Sequence, residues 1–364
     1  MFLPVLLIRD MGLWGWIVFA APNVLGAALM GWVLTSPESS RRIVENHGGA
    51  CRAFSIVTIA FHVFFVLWFV PRLVGLPVAS AAIALAGAFL LITFTRPGAD
   101  LGAGVLVWLF SIVMCFLFLR TPASVIPPHA LLPNLDALCI APVCVVGFAL
   151  CPYLDLTFHR ARQAQETRGQ SHFAFGAGFG FFFFLMIVFT ALYAGAMTPL
   201  LTADWRAHLR PAFGRLIAAH MIVQAAFTMA VHARSLAASR VSPGGVFGML
   251  VMGQVAIFAA LAAGMLPRMF NLDPGELVYR LFMSFYGLVF PAYVWICMLP
   301  RRAGGAPGRA GLRVTVLAIL IASPFYWLGF IQNRMLWLLP GLGIVLIARF
   351  MVRRDGFGAM SEIE

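Results

Sequence analysis

Residues 212–233 read AFGRLIAAHMIVQAAFTMAVHA, and this stretch decides the fold. From Leu216 to Ala233 it holds eighteen residues without a charge. A helix needs about 20 such residues to cross the hydrocarbon core of a bilayer. Yet His220, Gln224, Thr228 and His232 recur at every fourth position. Four residues turn a helix by about 400°, so the row drifts slowly and stays on one broad face. Polar side chains at that depth are costly and turn toward a bundle interior or a watery space rather than lipid. A lone span has no interior, so the stretch implies a bundle.

Working outward, the same test finds eleven apolar runs in the 364 residues, near 11–34, 53–75, 77–95, 99–119, 135–154, 172–198, 212–233, 245–266, 275–299, 312–331 and 335–352. The expectation is an all-α, polytopic transmembrane helix bundle of about 11 spans, forming one integral membrane domain over 1–364 with the lipid bilayer as its first partner. Composition agrees: 62% of residues are hydrophobic and 10% charged, with a mean hydropathy of +0.94. Short turns at Pro71 to Gly75 and at Arg96-Pro97-Gly98 separate neighbouring runs. Asp273 and Pro274 form a readable start for the ninth run, with Glu276 one turn before Arg280.

All 25 basic residues are Arg. The net charge of +12 does not point to nucleic acid, because nearly every Arg flanks an apolar run instead of clustering on a soluble face. Sixteen Arg fall on one side of the alternating runs and eight on the other, with Arg280 inside a helix. This bias places the chain in a bacterial-type inner (plasma) membrane, N-terminus outside and C-terminus cytoplasmic. Residues 36–52 then form a cytoplasmic connecting segment. Residues 202–215, with Trp205, Leu209 and Phe213 at helical spacing, form an external segment, read either as an amphipathic interfacial helix or as a solvated loop. The six cysteines include no C-x-x-C pair and read as small buried hydrophobes.

Three places carry polar chemistry. The first is the row of His220, Gln224 and Thr228, read either as glue between helices or as a binding surface. The second is Pro22-Asn23 with Gly26, where a proline frees a carbonyl and an amide arrives at the same depth. Such a site is either an interrupted helix of the kind that lines transport sites or a plain kink. The third runs from Gly147 through Pro152 to Arg160, where Pro152 ends a helix and Tyr153, Asp155, Thr157, His159 and Arg160 crowd its mouth. Tyr153, Asp155 and Arg160 are gate candidates there, with a simple interfacial ion pair of Asp155 and Arg160 as the alternative. Beyond them, Phe175-Gly176-Ala177-Gly178-Phe179-Gly180 predicts close packing or a local break. His62 stands alone on its run and reads as a packed, hydrogen-bonded side chain.

Other chemistry finds little support. The acids fall at span ends or in loops, which argues against a relay of buried carboxylates. No G-x-S-x-G, H-E-x-x-H, Walker or G-x-G-x-x-G pattern occurs in the required context, so no enzyme or ATP-driven pump is expected. His220 and His232, twelve residues apart, lie about 120° from one another and cannot ligate one haem iron. No resident cofactor or metal is implied.

Two stretches carry a family resemblance. Ser36-Pro37-Glu38-Ser39-Ser40-Arg41-Arg42-Ile43-Val44-Glu45-Asn46-His47-Gly48 resembles the short cytoplasmic helix before the third core helix of sodium:solute symporters. Tyr153-Leu154-Asp155-Leu156-Thr157-Phe158-His159-Arg160 is similar to the segment after the sixth core helix of nucleobase–cation symporters, and the Gly-and-Phe start of the next run resembles their seventh. Both families have the leucine-transporter fold. The resemblance implies a secondary transporter moving a small solute by alternating access, with a sodium ion as the candidate coupling ion. It makes Pro22, Asn23, Gly26, Gly147, Pro152, His220, Gln224 and Thr228 the candidate lining. One alignment equates the first run with the second core helix, so that the first core helix is missing and the fold is reduced. The other makes Pro22-Asn23 the unwound first helix and reverses the orientation. A non-transporting scaffold or sensor that kept the architecture is the alternative function.

Overall fold

A computed structural model describes residues 2–94, 100–121, 132–197, 211–239, 243–299 and 306–358. Among these residues every regular element is helical. In chain order they are α1 (Leu3–Met11), α2 (Leu13–Val33), α3 (Pro37–Val74), α4 (Val78–Thr93), α5 (Asp100–Leu119), α6 (Leu135–Leu150), α7 (Leu156–Gln163), α8 (Arg168–Met197), α9 (Pro211–Ala238), α10 (Pro243–Ala263), α11 (Pro274–Met298), α12 (Arg309–Ile331) and α13 (Leu338–Gly358). Among the described residues ten helices are long and apolar enough to span a bilayer, and α4 is a shorter apolar helix of 16 residues. The protein is thus an all-α polytopic membrane bundle, and the eleven apolar runs each become a helix.

Several helix ends follow from local chemistry. Asn134 caps α6 through the Ala137 amide, and Thr167 forms a reciprocal capping box with Gln170 at the start of α8. Asp273 accepts from the Gly275 amide at 2.9 Å to open α11, as expected from its place before Pro274. Gly75 ends α3 at φ +70°, a conformation that glycine adopts without a Cβ penalty, with its N–H on the Pro71 carbonyl. The turn at Arg96-Pro97-Gly98 lies outside the described residues.

Local geometry resolves several of these stretches. Residues 37–46 form a short helix ahead of a kink at His47, where the backbone leaves helical geometry, and α3 continues from there into the span. Of the two readings of Pro22, the uninterrupted helix holds, since α2 continues on both sides of it. The glycine-rich stretch is not a break either, because Gly176–Phe183 is a widened π-helical segment inside α8. Ahead of the first span, Leu3–Met11 form α1, which Gly12 ends at φ +65°. Of the segment 202–215, residues 202–210 lie outside the described set and Pro211 begins α9.

The chain folds as two compact units, and the division falls inside α2, α3, α8 and α11. Unit 1 comprises Met1–Ala20, Ser55–Pro133 and Gly178–Tyr279. Its core is aromatic: the Phe2 ring lies 4.6 to 5.6 Å from those of Phe65, Trp68, Phe69 and Tyr279. Each such pair contributes roughly 0.5–1.5 kcal/mol beyond burial. Two ion pairs fix the start of α11 in this unit: Arg9 clasps Glu276 with both terminal nitrogens, at 2.9 and 2.8 Å, and Arg72 holds Asp273 at 2.8 Å. Here α9 packs along α4 and α5.

Unit 2 comprises Ala21–Phe54, Asn134–Ala177 and Arg280–Glu364. Glycines let its backbones touch. A Cβ on Gly26 would run into the Phe148 carbonyl, and one on Gly147 would stand 2.9 Å from the Tyr286 oxygen. Two π-helical segments, Phe285–Val289 and Val294–Met298, flank Pro291 in α11. The Phe290 amide bonds the Phe285 carbonyl, so the following carbonyl, Tyr286, would bond position 291 in that register. Proline has no N–H to offer there. The Cys151 thiol takes the place, 3.4 Å from the Tyr286 oxygen.

Candidate functional site

The candidate residues divide between the units, each group with its own geometry. His220, Gln224 and Thr228 belong to unit 1, the rest to unit 2.

In unit 1, α9 is 28 residues long and Gln224 sits at its middle. Ser111 lies near the middle of α5, and Met186 is carried by α8. The structure brings these together. The Gln224 Nε2 donates to Ser111 Oγ at 2.7 Å and approaches Met186 Sδ at 3.1 Å. His220 Nδ1 lies 3.2 Å from the same Ser111 oxygen, which donates its own proton to the Val107 carbonyl at 2.8 Å. Thr228 Oγ1 donates to the Gln224 main-chain oxygen at 2.9 Å. His220 is buried, with Phe189 4.9 Å from its ring, whereas Gln224 and Thr228 are half-buried. His232, though in the same row, turns to Ser55 on α3 at 3.1 Å. His62 bonds the Thr58 carbonyl at 2.7 Å, as a packed histidine would.

In unit 2 the mouth of α6 is a knot of polar groups. Pro152 ends the α-helix as expected, and a 3₁₀ turn, Cys151–Leu154, leads to Asp155. The Asp155 carboxylate caps α7, accepting from the Thr157 amide at 2.8 Å and its hydroxyl at 2.7 Å. Tyr153 supplies a carbonyl to His159 Nε2 at 2.9 Å, and Ser40 meets His159 Nδ1 at 2.9 Å. Burial pushes the His159 pKa down, against the smaller pull of the Tyr153 carbonyl and Asp155. Arg160 points outward and is exposed. Pro22 and Asn23 are half-buried on α2. Gly26 and Gly147 mark close crossings of helices in this unit, which accounts for them by packing.

Three partners in these clusters escape the sequence reading. Ser111 is a lone hydroxyl in an apolar run, and the rule that singled out His220 would have found it. Ser40 and Arg162 carry no such signal. Arg162 is buried, donating to the carbonyls of Leu34 at 2.7 Å, Thr35 at 3.1 Å and Gln165 at 2.9 Å. Only the tertiary fold makes those three oxygens meet.

No protein-family model and no curated protein matches this chain.

Proposed function

We propose that this membrane protein is a secondary transporter of a small solute, working by alternating access, in a bacterial-type plasma membrane with the N-terminus outside. The observation that carries the reading is the polar row of α9. It lies at the middle of a long apolar helix, is met there by Ser111, and is half-open at Gln224 and Thr228. Groups that serve only to join helices gain about 1 kcal/mol or less per contact, a weak reason to place three polar residues on one helix face. On this reading His220 and Gln224 contact the solute, and Thr228 offers an oxygen to the solute or to a coupling sodium ion. Tyr153, Asp155 and Arg160 belong to the gate.

The unbroken α2 favours a second reading, a non-transporting scaffold or sensor, because a carrier site of the unwound-helix type would need an interruption there. Uptake by purified protein in liposomes separates the two. Labelled amides, amines, amino acids and heterocyclic bases would be offered with and without an inward sodium gradient. Accumulation that falls at least tenfold in Gln224→Leu is expected. A folded, monodisperse preparation that accumulates none of them ends the carrier reading.

A further inference from the structure

The hydrogen-bond ledger around Ser111 has a direction. Its hydroxyl proton goes to the Val107 carbonyl, so Ser111 Oγ meets His220 and Gln224 with lone pairs only. That assigns the proton of the neutral His220 to Nδ1 and leaves Nε2 as an acceptor. It also sets the Gln224 amide with nitrogen toward Ser111, and its two N–H groups go to Ser111 Oγ and Met186 Sδ. The Thr228 proton is held by the Gln224 main-chain oxygen. Every side-chain donor of the row is therefore engaged. Among the described residues nothing donates to His220 Nε2, Gln224 Oε1 or Thr228 Oγ1. Three acceptors remain, spaced about 6 Å apart along the helix by its rise per residue.

Resting on the carrier reading of α9, we infer that the row takes solutes that bring at least two hydrogen-bond donors, neutral amides or amidinium-like cations, and that it rejects carboxylates. A carboxylate meets only lone pairs here. A ligand without donors leaves these acceptors unpaired in the complex, which costs about tenfold in affinity for each missing bond. Ser111 determines this preference without touching the solute, because it holds the donors of both neighbours.

The test uses the full-length protein in nanodiscs, ¹⁵N-labelled at histidine, with the His220 signal assigned from the His220→Gln spectrum. The probes are two matched sets: acetamide, N,N-dimethylacetamide and acetate, and benzamide, N,N-dimethylbenzamide and benzoate. The expected spectrum has His220 protonated at Nδ1. Its Nε2 signal should move with the primary amides at concentrations about tenfold or more below those needed for the dimethylamides and carboxylates. Ser111→Ala, which frees a donor on each neighbour, should bring the carboxylates to within about threefold of the amides, whereas Ser111→Thr should keep the original preference. A proton on Nε2, equal response to amide and carboxylate, or no response to any of the six overturns the inference. Uptake measured in parallel separates the two ideas. Donor-selective binding without uptake removes the carrier and supports the acceptor row, while uptake indifferent to donors removes the acceptor row alone.

Discussion

At Gly26 the space for one methyl group is missing, since a Cβ there would strike the Phe148 carbonyl, a backbone atom that cannot swing aside. Gly87 on α4 is the opposite case, with nothing within 4 Å of its added Cβ. Gly26→Ala should therefore cost about 1–3 kcal/mol through overpacking. Gly87→Ala should gain up to about 1 kcal/mol by restricting the unfolded chain. Thermal unfolding in detergent checks the pair, and equal midpoints would remove the packing account of Gly26. His159 makes a residue-scale prediction of another kind. Its ring is buried and neutral, donating from Nε2 to Tyr153 and accepting the Ser40 hydroxyl at Nδ1. Burial holds its folded pKa below the ordinary histidine value of about 6.5. The unfolded chain then takes up a proton first as pH falls. Stability is thus whole above about pH 6.5 and declines as pH drops from there toward the depressed folded value. The midpoint of wild type should fall over that window relative to pH 8, and His159→Asn should flatten the slope. An identical slope in the variant would place the titration elsewhere.

The two residues that follow α2 have their carbonyls satisfied by a side chain far along the chain. Arg162 on α7 reaches Leu34 and Thr35 with two nitrogens and Gln165 with a third. A cation at a helix C-terminus also meets the negative end of the dipole. Arg162→Ala leaves one buried acceptor, the Leu34 carbonyl, beside two part-buried ones that water can reach, so a loss of about 1–3 kcal/mol is expected. Arg162→Lys should recover less than half of it, because an ammonium cannot reproduce the planar fork. Hydrogen exchange should quicken at residues 30–36 in Arg162→Ala, and unchanged exchange there would refute the cap. Elements of this kind also show where sequence reading stops. Spans were legible because about 20 apolar residues admit one explanation, and Asp273 and Pro274 marked the start of α11. The polar row of α9 was legible as a face by its spacing. The π-helical turns around Pro291 were not, since a proline in an apolar run marks a missing donor but not which hydrogen-bond register the neighbouring turns adopt. The resemblance placed a short helix at Ser36 to Gly48, and what stayed hidden was that it runs on into the following span across the kink at His47. Arg162 looked like any interfacial Arg, and its burial depends on three carbonyls that come together only in the fold.

For the molecule as a whole, the crossing number turns on α4. Its 16 residues extend about 24 Å, against about 30 Å of hydrocarbon. Length alone would deny it a crossing. Its surface argues the other way: Ile83 is 72% exposed, Leu91 76% and Phe94 81%, a strip of large apolar side chains over most of the helix. Water would penalise such a strip, whereas lipid tails would not. The opposite side of α4 lies along α9, and Arg234 of α9 approaches the Ile92 carbonyl at 3.4 Å while pairing with Asp100 at 2.7 Å. That arrangement puts a charge pair at one end of α4, where an interface belongs, and the few missing ångströms are made up by local thinning at modest cost. With α4 added to the ten longer helices, eleven crossings are predicted among the described residues, an odd number that would put the two termini on opposite faces. Impermeant thiol labelling of single cysteines carried on short added N- and C-terminal extensions, in a background without the six native cysteines, reads this directly in sealed vesicles. Labelling of one terminus from outside and of the other only after permeabilisation is expected. Both termini reacting alike would mean that α4 lies within one leaflet and that ten helices cross.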